Sequence, residues 1–158
     1  MKKLIILLVL LFASTAYAAD TCTYKMLGVH NGVRMHRWYL YDNSGTPNGT
    51  VDCSATSPTG ISTPIWGWII GFKVVPDGST KPDSSYNVAL RDSVTDFNYF
   101  FGEGDALDGT VQTGSGNVDV PVTDAGAYPY LFGEQVYIYA SLMGSSESKL
   151  TVYIYVKE

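Results

Sequence analysis

Three acidic residues in the second half of the chain have a spacing that could bind a metal ion. Glu103, Asp105 and Asp108 lie in the stretch Glu-Gly-Asp-Ala-Leu-Asp-Gly, a short distance after Asp92 and Asp96. Calcium prefers several carboxylate and carbonyl oxygens on a flexible loop, and weak sites of this kind occur outside cells. Because the spacing does not match the EF-hand pattern, a solvated acidic loop is the simpler interpretation. We predict no other metal site and no other cofactor.

His30 and His36 are the only histidines, and either could serve as the base of a nucleophilic catalyst. Such a site also needs a serine or cysteine nucleophile and an orienting acid. No Gly-x-Ser-x-Gly motif accompanies either histidine. In a strand, His36 would share a face with Arg34 and Trp38, which looks like a polar outer surface. We therefore expect no enzymatic activity.

Cys22 and Cys53 are the only cysteines. In an oxidising compartment, an isolated pair most simply forms one disulfide. The bond would close a loop of about 30 residues. It would lower the conformational entropy of the unfolded chain and thereby stabilise the fold by roughly 3 kcal/mol. Two free thiols and a metal site are the alternatives, although no Cys-x-x-Cys spacing supports the metal site.

The first 18 residues have the three parts of a secretory signal peptide. Two lysines precede the apolar run 4–12, and Ala-Tyr-Ala ends at residue 18. Removal of this segment leaves residues 19–158, with 8 Lys and Arg against 15 Asp and Glu, so the formal charge is near −7 rather than −5. We expect a product that is secreted, periplasmic or on the cell surface, with no membrane span. An acidic chain of this kind is a poor general binder of nucleic acid or anionic membranes.

The elements that would position these residues are strands. Sustained helical periodicity is absent, and runs rich in β-branched and aromatic residues alternate with Gly, Pro, Ser and Asp turns. The strongest strand predictions are residues 33–41, 65–75, 134–142 and 150–157, and the weaker ones are 23–29, 86–92, 96–101 and 117–122. Seven or eight such strands in one 140-residue domain predict an all-β fold, a single antiparallel β-sandwich that is Ig-like or jelly-roll-like.

The last two strong segments are separated by a Gly-Ser-Ser-Glu turn, which predicts an antiparallel hairpin. Their aliphatic residues would meet in the core, and the opposite face would carry four tyrosines: Tyr137, Tyr139, Tyr153 and Tyr155. This face could be a ladder that stabilises the sheet, a surface for a protein partner, or a platform for stacking sugars. In the segment 65–75, Trp66 and Trp68 share a face with aliphatic residues, so we expect both in the core.

Residues 66–92 contain a Gly-rich strand, a Pro-Asp turn and Tyr-Asn-Val-Ala-Leu-Arg-Asp, and residues 150–156 form a final alternating strand. This pattern resembles small β-rich virion-associated structural proteins of tailed bacteriophages. The resemblance implies a non-enzymatic structural or surface role on an assembled particle. We therefore expect an exported structural or surface-binding protein, phage-derived and self-assembling, whose partner is a protein surface or a second copy. The alternative is a secreted carbohydrate-binding module that binds glycans through exposed aromatic side chains.

Overall fold

The computed structural model of the chain describes residues 20–44, 48–56, 58–82, 85–100, 107, 129–144 and 147–158. Eight strands lie in these residues: β1 (Thr21–His30), β2 (Val33–Asp42), β3 (Val51–Asp52), β4 (Ile65–Pro76), β5 (Asn87–Asp92), β6 (Tyr130–Glu134), β7 (Val136–Ser141) and β8 (Ser148–Lys157). The helical segments in this part of the chain are α1 (Cys53–Thr56) and a 3-10 turn (Pro58–Gly60). All four strong strand predictions correspond to strands. The weaker prediction 96–101 is wrong over residues 96–100, which form turns and one isolated bridge, and 117–122 lies outside the described residues.

The strands form two sheets, and every pair within them is antiparallel. The large sheet has the order β1-β2-β8-β4-β6, and the small sheet has the order β3-β7-β5. Strand β8 lies at the centre of the large sheet, with β2 on one side and β4 on the other. This arrangement confirms the predicted all-β, sandwich-like fold. It also leaves β1 and β6 as the two edges of the large sheet.

Period-two alternation explains where the core lies. Along β8 every second residue is buried, and the intervening residues are half-buried or exposed. The buried set, Leu150, Val152, Ile154 and Val156, joins residues of the small sheet such as Leu90 and Ile138 in one apolar cluster. Burying a side chain of this size contributes about 1.5–3 kcal/mol, so this inner face supplies much of the stability. The opposite, outer face of the large sheet is turned away from the small sheet.

Cys22 of β1 and Cys53 of α1 form the predicted disulfide. Their sulfurs are 1.98 Å apart and their Cα atoms 5.3 Å apart. The bond joins one edge of the large sheet to the segment that follows β3. Nearby, Trp38 Nε1 donates a buried hydrogen bond of 2.9 Å to the carbonyl of Gly60, which ties the 3-10 turn to β2. Two long-range links therefore hold the region between β2 and β4.

The predicted hairpin of the last two strong segments is wrong. Strand β7 pairs with β3 and β5, whereas β8 pairs with β2 and β4 in the other sheet. After β7, Met143 is fully buried, and its backbone N–H donates a hydrogen bond to the carbonyl of Gly49. The N–H of Gly49 in turn donates to the carbonyl of Gly144. The Ser148 hydroxyl donates a buried hydrogen bond of 2.8 Å to the Met143 carbonyl. These contacts hold Met143 away from the geometry of a tight turn, which would keep both strands in one sheet.

The prediction that Trp66 and Trp68 lie in the core is also wrong. The first half of β4 buries Ile65, Gly67 and Ile69, so the two tryptophans project from the outer face. The register of β4 against β8 shifts between Ile69 and Gly71, and from there the buried positions are offset by one residue. A β-bulge of this kind inserts one extra residue and therefore exchanges the two faces of a strand. Simple alternation along the sequence assigns the tryptophans to the wrong face for this reason.

Candidate binding face

Four aromatic side chains form a patch at one corner of the outer face, on β4 and the edge strand β6. The patch consists of Trp66, Trp68, Tyr130 and Phe132, and we call it the aromatic patch. Trp66 is the cross-strand partner of Phe132, and Trp68 is the partner of Tyr130. The exposed fractions are 53% for Trp66, 45% for Trp68 and 70% for Phe132. Contiguous exposed rings of this size are unusual in a soluble protein and mark interaction sites.

The rings of the aromatic patch hold one another in place. Trp68 and Tyr130 meet edge to face, with ring centroids 4.8 Å apart. Tyr130 and Phe132 are tilted against each other, with centroids 4.5 Å apart. Such contacts contribute about 0.5–1.5 kcal/mol each beyond the area that they bury. These contacts favour one arrangement of Trp68, Tyr130 and Phe132, and pre-arranged rings lower the entropy cost of binding.

Trp66 lies over the backbone of β6. A Cβ atom at Gly133 would be 2.5 Å from Cζ2 of the indole, and Gly133 has a φ of 88°. Only glycine combines this left-handed backbone with the space that the ring occupies. The Glu134 carboxylate turns back and accepts a hydrogen bond from the backbone N–H of Phe132. The end of the edge strand is thereby shaped around the exposed rings.

The four tyrosines predicted to share one face do not do so. Tyr153 and Tyr155 project from the outer face of the large sheet, where both are half-buried. Tyr137 belongs to the small sheet, is 3% exposed, and donates a hydrogen bond to Asp96. Burial and this carboxylate raise the pKa of Tyr137. Tyr139 lies on the small sheet under the guanidinium of Arg91, 4.1 Å from the ring centroid.

His36 is on the inner face, so its predicted place on a polar outer surface is wrong. Its grouping with Arg34 and Trp38 is correct, but this side of β2 faces the core, and His36 is 1% exposed. Its Nδ1 shares a hydrogen bond of 2.9 Å with the hydroxyl of Tyr24. Nε2 has no hydrogen-bond partner. Burial, with a smaller contribution from the positive charge of Arg34, lowers the pKa of His36 to about 4.

The candidate calcium residues Glu103, Asp105 and Asp108 lie outside the described residues. Within the described part of the chain, no group of three or more His, Cys, Asp or Glu side chains is placed to hold a metal ion. Asp92 is engaged in local structure, since its carboxylate accepts hydrogen bonds from the backbone of Val94 and from Thr95. These bonds lower its pKa against the opposing effect of burial.

Known proteins provide no family for this chain. No family model, no curated protein and no solved structure matches it. The resemblance to virion-associated phage proteins therefore stays a prediction. Over the residues that the structure describes, no helix is long and apolar enough to cross a membrane.

Sequence reasoning missed the aromatic patch for two reasons. Tyr130 and Phe132 lie in β6, and the predicted strand 134–142 begins only at the last residue of that strand. The two tryptophans were assigned to the wrong face because of the bulge between Ile69 and Gly71. Gly71, at the shifted register, is the feature of the sequence that could have indicated the bulge, since glycine inside a strand pattern often marks one.

Proposed function

We propose that this protein is an exported, non-enzymatic binding protein whose aromatic patch stacks on the sugar rings of a polysaccharide. The observation that carries the proposal is the aromatic patch on β4 and β6, in which Trp66, Trp68 and Phe132 are exposed and Tyr130 is half-buried. Pyranose rings present C–H groups on their faces, and these pack against aromatic rings while the sugar hydroxyls remain solvated. Tryptophan and tyrosine suit such a surface because each combines an apolar ring with a polar group.

The disulfide agrees with the export part of the proposal. Disulfides persist in oxidising compartments and are rare in the cytosol. The predicted signal peptide at residues 1–18 points to the same destination. Catalysis through His36 gains no support, since its ring is buried on the inner face of β2 and hydrogen-bonded to Tyr24.

Self-assembly by strand addition is less well supported. Strand addition needs an edge with free backbone donors and acceptors. On β6, Glu134 occupies the backbone N–H of Phe132, and on β1 the register shifts between Met26 and Gly28. Bulges and inward-turned charges of this kind are common devices that protect edges from pairing. The geometry therefore favours binding through side chains on the sheet face.

Affinity electrophoresis and tryptophan fluorescence with a panel of polysaccharides test the proposal. Replacing Trp66→Ala and Trp68→Ala together should weaken binding about fivefold or more, because two ring contacts of about 0.5–1.5 kcal/mol each are lost. Phe97→Ala is the matched control, because Phe97 is 49% exposed but lies on the turn after β5. We expect this variant to bind like the parent protein. Absence of binding to every polysaccharide in the panel, by a folded parent protein, would contradict the proposal.

A further inference from the structure

Basic residues are concentrated on the outer face of the large sheet. Eight Lys and Arg residues follow residue 18. The strand registers place five of them on this face: Lys25, Arg37, Lys73, Lys149 and Lys157. The four strands that carry them, β1, β2, β4 and β8, contain one acidic residue, Asp42, which is buried. Within these four strands the outer face therefore carries only positive charges, and the Glu147 carboxylate lies near its edge, beside Tyr41.

Three of these cations form a row across the sheet, which we call the basic row. Lys25 is the cross-strand partner of Arg37, Arg37 is the partner of Tyr153, and Tyr153 is the partner of Lys73. Adjacent strands are about 4.8 Å apart, so the row spans about 14 Å. Like charges directly opposite each other on neighbouring strands destabilise a sheet. Among the described residues, none of the three cations forms a salt bridge; the pair found there joins Arg34 and Glu158.

The cation of the small sheet, Arg91, has an aromatic ring and carboxylates close to it. Arg91 packs over Tyr139, and its cross-strand partner Tyr137 donates a hydrogen bond to Asp96. Asp52 is the cross-strand partner of Tyr139, the residue whose ring the Arg91 guanidinium covers. Charge on the small sheet is therefore balanced locally. Among the residues that the structure describes, the basic row has no such compensation; Lys25 is exposed, and Arg37 and Lys73 are half-buried.

Two tyrosines and a lysine on β8 connect the basic row to the aromatic patch. Tyr153, Tyr155 and Lys157 follow one another on the outer face of β8, about 6.6 Å apart. Lys157 is the cross-strand partner of Trp68, so a positive charge adjoins the patch. A ligand that matches this surface has units that each combine an apolar ring face with a negative charge. Sugar acids and sulfated sugars have this chemistry.

We infer that the ligand is an acidic polysaccharide, which lies across the outer face with its carboxylates or sulfates on the basic row and its sugar rings on the aromatic patch. This inference rests on the proposed function and adds the substrate class. Its first consequence is a preference for a charged polymer over a neutral one with the same backbone. A second is that the basic row sets this preference, whereas the aromatic patch contributes to binding of both polymers.

Two matched pairs of polymers test the inference: polygalacturonate with its methyl ester, and dextran sulfate with dextran. We expect the parent protein to bind the charged member of at least one pair tenfold or more tightly. The double variant Arg37→Gln, Lys73→Gln should lose at least tenfold of that preference. Lys81→Gln is the matched control, since Lys81 is exposed but lies in the loop after β4. The preference of this variant for the charged polymer should equal that of the parent protein.

The outcomes separate this inference from the proposed function. Equal binding to both members of both pairs overturns the inference and leaves the proposed function standing. Failure to bind these four polymers and the wider panel overturns both. Binding of single-stranded DNA or of phosphatidylglycerol vesicles as tightly as the acidic polymers overturns the inference, because the face would then attract any anion. A dimer in sedimentation that dissociates in the double variant also overturns it, since a second copy would occupy the face.

Discussion

Acidification should destabilise this protein because of one buried histidine. His36 lies on the inner face of β2, between its cross-strand partners Met26 on β1 and Ile154 on β8. In the part of the chain that the structure describes, the charged or titratable groups near it are Tyr24, which shares a hydrogen bond with Nδ1, and Arg34 on its own strand. Neither offers a negative charge to a protonated imidazole. The folded protein therefore disfavours protonation, and the pKa of His36 falls from 6.5 to about 4.

The sign and size of the effect follow from this difference. The unfolded chain binds a proton at a higher pH than the folded protein, so the free energy of unfolding decreases as the pH falls. The contribution of His36 is complete above pH 6.5 and is lost progressively as the pH falls to about 4. Each unit of pKa difference corresponds to 1.36 kcal/mol. The whole loss is therefore about 3 kcal/mol, which is a large part of the stability of a small domain.

The described carboxylates with shifted pKa values affect the acid end of this window at most. Hydrogen bonds from Ser79 and Thr80 lower the pKa of Asp77 from 3.8 to about 2, so its stabilising effect is lost only below the histidine range. Asp20 has the opposite sign, because burial raises its pKa above 3.8. Its protonation favours the folded state, and its contribution is lost as the pH rises through the folded pKa. The part of the slope between pH 6.5 and about 4 that disappears in a His36 variant therefore reports on His36.

Urea unfolding followed by fluorescence, repeated at several pH values across the window, measures this slope directly. We expect the free energy of unfolding to fall by up to about 1.4 kcal/mol per pH unit in the parent protein. His36→Gln should remove most of the slope, even where the variant is less stable at every pH. His30→Gln is the control, because His30 is exposed at the end of β1. A flat profile in the parent protein, or an unchanged slope in His36→Gln, would refute the reasoning.

Two further perturbations have outcomes that the structure predicts. Reduction of the Cys22–Cys53 bond, which spans 31 residues of sequence, should lower the free energy of unfolding by about 3–4 kcal/mol. Urea titration with and without reductant measures this change, and a loss of less than about 1 kcal/mol would contradict the loop-entropy argument. Gly133→Ala should displace Trp66 and shift its fluorescence, because the new Cβ would meet the indole. Gly32→Ala, also at positive φ but with no atom within 4 Å, should leave the fluorescence unchanged.

Local pattern was sufficient to predict the longer strands, although it missed β3 and most of β6, and the partners of the strands depend on contacts between distant residues. The alternation in β8 is complete within ten residues, and the strand was therefore predicted almost to its ends. The partner of β8 depends on Met143, whose burial against the segment at Gly49 carries the chain from one sheet to the other. Nothing in the sequence around residues 142–147 distinguishes this crossing from a tight turn. The disulfide was predictable because only two cysteines exist.

Bulk composition is a poor guide to what this protein attracts, because the charge is segregated. A net charge near −7 for residues 19–158 describes the field far from the molecule. A ligand on the outer face lies within about 8 Å of the basic row, which is the screening length at physiological ionic strength. If net charge governs binding, added salt should strengthen association with an acidic polymer, since it screens the repulsion of two anions. If the basic row governs binding, salt should weaken it. We expect weakening with polygalacturonate and no change with its methyl ester, and a rise in affinity with salt would show that the face does not act as inferred.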